Sequence, residues 1–487
     1  MQLLTNNNRK GKTIKATLWS MLERFATIGI QLVCTLVMAQ FLTPAEFGLI
    51  SMVSIFMAFS NIIIDAGFSQ ALIREQNVTK EDYSSVFFFN IIVGSFLYLV
   101  FFASAPLIAS FYNEPKLTLV VRVSFISLIV FSTTAVQQAR LYKNVDFANV
   151  SKVSLISVTI SGAVGIIVAW YSRSVWAIVL QSLTFSICRS VLLWSIGNWY
   201  PQLVIKWGCI KKYIGFSLNL LMTNIIAAIT DNLPNLFIGK SYSASVLGGY
   251  TIPDKLQRSI SGTLSFSIHR VSYPIMAQFQ DDTAQLRNYS QKVVNMAFFI
   301  ISPIMMFLMI EAQDLFDILL PSEWSDSAYY FKYLCIIGAI FCFADINLDV
   351  LMVRGMTQLI LCIEIIRKSI FLAILFIGIK YSIDTFLTLL IIYNLFNALF
   401  VSYFYGKSIN CSLCTQLKNI FKTILNLSIV TFITNLYVTI DMVIFLRFVS
   451  SAIIFVVLYL LIALALKDAS FEFILSEARK RIKVISK

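Results

Sequence analysis

Charged residues are scarce in this chain: only 13% of its 487 residues are charged, whereas 58% are hydrophobic and the mean hydropathy is +0.80. Soluble domains have about a quarter charged residues, so this chain has too few to cover a water-facing surface. No connection between the apolar runs is long enough to form a soluble domain. The sequence therefore predicts an all-α polytopic membrane protein, whose length counts transmembrane helices at about 20 residues each.

Histidine is almost absent, and this excludes several chemistries. The single histidine, His269, disfavours a Ser-His-Asp set and leaves no metal site built on several histidines. Five of the eight cysteines lie inside apolar runs as small core residues. Cys411 and Cys414 form a CxxC without the second ligand pair that zinc requires. We therefore predict no catalytic residue, no metal and no cofactor, and hence a protein that is not an enzyme.

Hydropathy along the chain predicts about fourteen membrane-spanning helices. They lie near residues 15–42, 47–71, 84–110, 117–139, 150–171, 174–196, 212–234, 246–275, 293–312, 326–353, 358–379, 384–406, 418–436 and 441–466.

The net charge of +13 is distributed unevenly over the connections between these spans. Alternate connections carry most of the lysines and arginines, including Arg74 with Lys80 and Lys211 with Lys212, and the other set has at most one per loop. By the positive-inside rule, both termini and the basic tail from Lys467 are cytoplasmic. The charge therefore indicates orientation in a bacterial inner membrane and contact with its lipids, and nucleic acid is not an expected partner.

Two segments of the chain resemble each other. Residues 35–51 and 235–251 each contain a helix end, a short polar turn and the start of the next helix, with Gly48 opposite Gly248. Both segments end an outward-going helix. This repeat predicts two parallel six-helix lobes, 1–205 and 206–410, followed by two additional helices and a basic cytoplasmic tail in 411–487.

Charges inside predicted spans indicate function, because a charge in the bilayer is costly unless it has a partner or a wet cavity. In the first helix, Glu23 and Arg24 lie on or beside a polar stripe, and Asp65 continues a similar stripe in the second helix. Both stripes are also compatible with helix packing. Since Arg24 and Asp65 lie at similar predicted depth, we hypothesise that they pair.

The eighth predicted helix has a polar face that includes Lys255, Arg258 and His269, with Asp254 beside it. A pair between Asp254 and Arg258 leaves Lys255 as a cation near the bilayer middle, which favours a cationic cavity over structural pairing. His269, near a helix end, is expected to be a surface residue. The candidate substrate-binding residues are Arg24, Arg122, Arg189, Lys255 and Arg258. The candidates for ion coupling or charge pairing are Glu23, Asp65, Asp254, Asp345 and Asp349.

Further intramembrane charges have local explanations. Glu364 is expected to neutralise Arg367 or Lys368, and Asp345 and Asp349 either carry protons or sodium or offset Arg270 and Arg354. Arg447 is a further cation inside a predicted span.

Several runs carry a family resemblance: LTPAEFGLISM from Leu42, DAGFSQALIREQNVTKEDYSSVFFFN from Asp65, DNLPNLFIGKSYSASVLGGY from Asp231 and LPSEWSDSAYYFKYL from Leu320. In order and spacing they resemble the Wzx-type lipopolysaccharide and exopolysaccharide flippases of the multidrug/oligosaccharidyl-lipid/polysaccharide (MOP) exporter superfamily. The resemblance implies two six-helix lobes around a cavity that opens alternately to each side. It also implies that an undecaprenyl-diphosphate-linked oligosaccharide moves from the cytoplasmic to the outer leaflet. Other polysaccharide-assembly proteins are candidate partners.

Three alternatives remain open at this point. A drug/cation antiporter of the same superfamily would favour buried acids, whereas the cavity candidates are mainly cations. A membrane-integral polysaccharide polymerase or glycosyltransferase would need a long outward loop with arginines or acids, and the longest such loop, 311–326, contains no Lys or Arg. An assembly protein without transport is the third.

Overall fold

The computed structural model describes residues 23–472 apart from Asn198, Asp441 and Ala469. Within these residues the regular structure is helical and no strand occurs, so the predicted all-α class is confirmed. The basic tail beyond residue 472 and the first 22 residues lie outside the described part of the chain.

The chain divides into two compact units after Thr251. The first unit contains helices α1 (23–39), α2 (Pro44–Asp65), α3 (Phe68–Arg74), α4 (Lys80–Tyr112), α5 (Leu117–Ser124), α6 (Ile126–Lys143), α7 (Phe147–Ser172), α8 (Trp176–Ile196), α9 (Trp207–Ser241) and the start of α10 (Ala244–Gln278). Helix α9 thus packs with α2 and α4 in this unit, although the predicted lobe boundary lies before it. The two six-helix lobes stay a prediction.

The second unit begins within α10. It continues with α11 (Thr283–Ile310), α12 (Ala312–Leu319), a short 3-10 turn (Ser322–Trp324), α13 (Ser325–Val353), α14 (Thr357–Tyr381), α15 (Ile383–Ser408), α16 (Leu413–Val438) and α17 (Ile444–Ala465). Its central core lies between α11, α13 and α15, and includes Ala297, Ile301 and Ile346.

Local sequence signals position the helix ends. Pro44 occupies the first turn of α2, where its missing N–H costs nothing. Thr79 and Asp82 form a reciprocal capping box at the start of α4, with N–H···O distances of 2.9 and 3.1 Å. Helix α2 stops where Ala66 and Gly67 adopt positive φ angles of 44° and 78°, and α3 starts immediately after this break.

Ten helical segments of the described chain are long and apolar enough to span a membrane. Helix α9 would be an eleventh, although it bends by 64° between Trp207–Gly215 and Leu220–Ser241. Any stretch of α14 long enough to span includes Glu364, Arg367 and Lys368. The polytopic membrane architecture is therefore confirmed, whereas the count of fourteen spans and the orientation of the termini stay predictions.

The two predicted repeat segments contact each other through equivalent residues in the first unit. A Cβ atom added to Gly48 of α2 would lie 1.8 Å from the Ala244 carbonyl oxygen, and one added to Gly248 of α10 would lie 1.7 Å from the Pro44 carbonyl oxygen. Only glycine permits backbones to approach this closely. The N-terminal ends of α2 and α10 therefore interlock reciprocally, at the end that the sequence predicts to face outward.

Helices α16 and α17 are fastened to α11 and α12. The Tyr459 hydroxyl donates to the Phe299 carbonyl at 2.9 Å, within an apolar cluster that includes Val430 and Phe455. Arg447 forms a bidentate ion pair with Asp314, with both N···O distances 2.6 Å. The cation that the sequence left without a partner is thus neutralised by a carboxylate on α12.

Candidate substrate-binding site

A cavity of about 390 Å³ lies within the first unit, between α2, α3, α6, α8 and α9. It brings together two predicted site residues, Asp65 and Arg189, which are far apart in the sequence. The other polar residues of the lining are Asn61, Ser69, Gln70, Gln138, Tyr142 and Asn224. The cavity thus combines one guanidinium, one carboxylate, and several amides and hydroxyls.

Asp65 is held in place by the helix break that follows it. Because Ala66 and Gly67 turn the chain, the first turn of α3 folds back toward the carboxylate. The Ser69 hydroxyl donates to Asp65 Oδ1, and the Ser69 backbone N–H donates to the same oxygen at 3.3 Å. Asp65 therefore has local donors and does not depend on a cation for its hydrogen bonds.

Arg189 projects from α8, and its guanidinium lies 5.7 Å from the centre of the Phe185 ring. It interacts electrostatically with the Glu23 carboxylate, and Tyr142 lines the cavity with it. The Gln138 amide donates to the Tyr142 hydroxyl at 3.1 Å, which orders this side of the cavity. A guanidinium can bind a phosphate through two parallel hydrogen bonds, and amides and hydroxyls can bond sugar hydroxyls.

Two predicted cations lie elsewhere. Arg122 donates from Nε to the Phe102 carbonyl at 3.3 Å and lies 4.5 Å from the Phe102 ring centre, and it is not part of the cavity lining. Arg24 is exposed on α1. The ion pairs among the described residues do not include one between Arg24 and Asp65, so this pairing stays a prediction.

The polar face of α10 carries the predicted ion pair between Arg258 and Asp254, at 2.9 Å. Lys255, on the adjacent position, is exposed, whereas Pro253 and Leu256 beside it are buried. Within the described part of the chain, no carboxylate lies within 4.0 Å of its ammonium. Lys255 is therefore accessible without an ion-pair partner at this distance, and its contact with a substrate stays a prediction.

A cluster of charged side chains links α10, α13 and α14 within the second unit. His269 Nδ1 lies 2.5 Å from Asp349 Oδ2, and Asp349 is buried. Asp345, one turn earlier on α13, interacts electrostatically with His269 and Arg367, and Arg367 is paired with Glu364 as expected.

Sequence reasoning did not find this His–Asp pair, since nothing in the sequence brings residues of two distant helices together. His269 is only partly exposed and is bound to a carboxylate. Arg354, suggested as a partner of the α13 acids, instead donates to the carbonyls of Gln280 and Ser408, at 3.2 and 3.3 Å.

Two solved structures of membrane proteins share the fold of this chain. The lipid II flippase MurJ, in an inward closed conformation, superposes with a TM-score of 0.73 at 14% identity, covering 94% of this chain and 99% of MurJ. An inward-facing multidrug resistance MATE family transporter gives a TM-score of 0.54 at 13% identity, covering 81% and 94%. The class is therefore a multi-pass helical membrane protein that shares its fold with these two proteins.

The sequence assigns the chain within that class. The profile of the polysaccharide biosynthesis protein family matches residues 37–329, so the chain belongs to this family. A membrane protein in the cps region of Klebsiella pneumoniae is 25% identical over 370 residues, 75% of this chain and 76% of that protein. The lipopolysaccharide biosynthesis protein WzxC of Escherichia coli K12 is 21% identical over 369 residues, 75% of each. The family match and these relatives confirm a multi-pass inner-membrane protein of the polysaccharide biosynthesis family.

Proposed function

We propose that this protein moves an undecaprenyl-diphosphate-linked oligosaccharide, the repeat unit of an O-antigen, capsule or exopolysaccharide, from the cytoplasmic to the outer leaflet by alternating access. The observation that carries the proposal is the cavity in which Arg189 lies among the amides and hydroxyls of Asn61, Gln138, Tyr142 and Asn224. The Asp65 carboxylate of this lining already accepts hydrogen bonds from Ser69. The Arg189 cation among the uncharged hydrogen-bonding groups suits a ligand with an anionic diphosphate and a neutral sugar.

Transport through this cavity would require no covalent bond to be made or broken. The Arg189 guanidinium would bind the diphosphate, the amides would bind sugar hydroxyls, and the polyprenyl chain would remain in the bilayer. Lys255 of the second unit is a separate candidate contact for the anionic part of the substrate. The relatives named for polysaccharide biosynthesis support this substrate class.

The reciprocal contact between α2 and α10 is the candidate closure on the outer side. Gly48 and Gly248 allow the two helix ends to meet backbone to backbone. In an alternating-access cycle these ends would separate to release the oligosaccharide and meet again afterwards.

The function can be tested in proteoliposomes that contain a fluorescent undecaprenyl-diphosphate oligosaccharide in a known leaflet. We expect the purified protein to expose the label to a membrane-impermeant quencher on the opposite side, whereas protein-free vesicles should not. A protein that extrudes cationic dyes but leaves the labelled lipid in place would overturn the proposal in favour of the drug antiporter.

The role of Lys255 can be separated from that of the ion pair beside it. We expect Lys255→Ala to reach the membrane normally and to reduce transport of the labelled lipid about tenfold, the loss of roughly one charge-assisted hydrogen bond. The double variant Asp254→Asn with Arg258→Gln removes the pair without leaving an unpaired charge. If Arg258 contacts substrate, this double variant should also lose transport. Normal transport by the double variant would show that the pair is structural.

Ion coupling is expected at the His269–Asp349 pair, where a buried carboxylate joins α10 to α13. Loading that carboxylate with a proton or cation would change the link between the two helices. Asp349→Asn and His269→Gln should therefore abolish gradient-driven accumulation of the labelled lipid while leaving downhill equilibration. Asp326→Asn, an exposed acid on the same helix, is the matched control. Wild-type transport that is equal with and without proton or sodium gradients would contradict coupling.

A further inference from the structure

The connection between α8 and α9 is an ordered strap, defined here as residues 199–206. Side chains of two other helices hold its backbone. The Gln137 amide donates to the Trp199 carbonyl at 2.9 Å. The hydroxyls of Ser84 and Ser85 accept from the backbone N–H groups of Gln202 and Lys206, both at 3.0 Å. The strap is therefore fixed along the start of α4 and the end of α6.

Trp199 of the strap is buried, whereas the other large apolar side chains of the strap are exposed. Leu203 is 92% exposed, Tyr200 76% and Ile205 56%, and Trp207, at the start of α9, is 63% exposed. By contrast, the connection 75–79 on the same side reads Glu-Gln-Asn-Val-Thr and is mainly polar. An anchored loop with several large apolar side chains pointing outward is costly in water.

The strap lies at the membrane surface that the positive-inside rule assigns to the cytoplasm. Ser84 and Ser85 are in the second turn of α4, and Gln137 is in the last turns of α6, so the strap crosses the ends of two spanning helices. Lys206 and Lys211 are exposed beside it. A hydrogen bond to Glu81, 2.6 Å away, raises the pKa of the Lys206 ammonium, so this end of the strap stays charged.

We propose that the strap inserts its apolar side chains into the boundary between headgroups and acyl chains of the cytoplasmic leaflet. Tyr and Trp are the residues that favour this boundary, and the flanking lysines complement anionic headgroups. The occupant of this apolar surface is therefore lipid, and neither a second copy of the chain nor another protein.

Helix α6 connects the strap to the cavity. Gln137 and Arg140 face the strap, the latter donating to the Gly197 carbonyl at 3.1 Å, while Gln138 and Tyr142 line the cavity. The inserted strap therefore sets the depth of the cavity relative to the leaflet. This last step rests on the proposed function, because it is the cytoplasmic leaflet that would supply the substrate.

Photocrosslinking tests the insertion directly. A genetically encoded benzoylphenylalanine would replace Leu203, and in a matched variant Asn77, an exposed residue of the connection 75–79. Both full-length proteins would be reconstituted in nanodiscs of phosphatidylethanolamine and phosphatidylglycerol, irradiated and examined by mass spectrometry. We expect phospholipid adducts at position 203 and at least about fivefold fewer at position 77, since the acyl boundary surrounds only the strap.

Equal adduct yields at the two positions would overturn the proposal, and so would a crosslink between two copies of the chain at position 203. Both variants should elute as the wild-type protein does, which checks their folding. Crosslinking needs no transport, so lipid adducts at 203 in a protein that does not move the labelled oligosaccharide would retain the strap and reject the proposed function. Transport without these adducts would retain the proposed function and reject the insertion of the strap.

Discussion

Gly48→Ala and Gly248→Ala are each expected to reduce transport of the labelled oligosaccharide more than tenfold. A Cβ at either position would overlap a backbone carbonyl oxygen of the partner helix, at 1.8 or 1.7 Å, and a backbone atom cannot move aside as a flexible side chain can. The ends of α2 and α10 would then be held apart. If closing this contact is a step of the cycle, both variants would fail at the same step.

The matched control is Gly262→Ala in the same helix α10, where an added Cβ meets nothing within 4 Å. Alanine is the better helix former by about 1 kcal/mol, so this variant should fold and transport normally. Flipping rates and melting temperatures in detergent would be measured for all three proteins. A lower melting temperature with unchanged flipping in the Gly48 and Gly248 variants would show that the contact stabilises the fold and has no role in transport.

Arg189→Gln is expected to lower transport about 30-fold, which corresponds to the loss of roughly 2 kcal/mol from charge-assisted hydrogen bonds to a diphosphate. Arg189→Lys should recover only part of this loss, because an ammonium lacks the planar fork of the guanidinium. The rate of flipping at several substrate concentrations would show whether the loss lies in binding.

Arg122→Gln is the control for Arg189. It removes the same charge from an arginine that lies on Phe102 and outside the cavity, and it should change transport by less than about twofold, as surface substitutions usually do. Equal losses in the two variants would mean that overall positive charge matters, and that the cavity is not the diphosphate site.

The sequence was a good guide to where the apolar helices lie, because hydropathy depends on composition within one segment. It was a poor guide to breaks within a segment. The predicted span 47–71 contains the turn at Ala66 and Gly67. Because the residues on both sides of this turn are apolar, hydropathy does not reveal it. The true start of α4 at Lys80 was marked by the capping pattern of Thr79 and Asp82, a signal that hydropathy does not use.

The sequence indicated which residues could belong to a site, but not which of them lie together. Asp65 and Arg189 were both chosen as costly charges, yet their shared cavity depends on how α2 and α8 pack, which no periodicity within one helix reveals. The same holds for the pairs His269–Asp349 and Arg447–Asp314. By contrast, Asp254–Arg258 and Glu364–Arg367 are separated by about one helical turn, and both were predictable from spacing alone.

The attachment of α16 and α17 has a practical consequence for observing the protein at work. Because Arg447 is paired with Asp314 on α12 and Tyr459 donates to the Phe299 carbonyl of α11, we expect α16 and α17 to move together with α11 and α12. A fluorophore on the connection between α16 and α17, for example at exposed Ile440, would therefore report the displacement of α11 without disturbing it. A label on α16 and α17 would thus allow the transport cycle to be followed in real time.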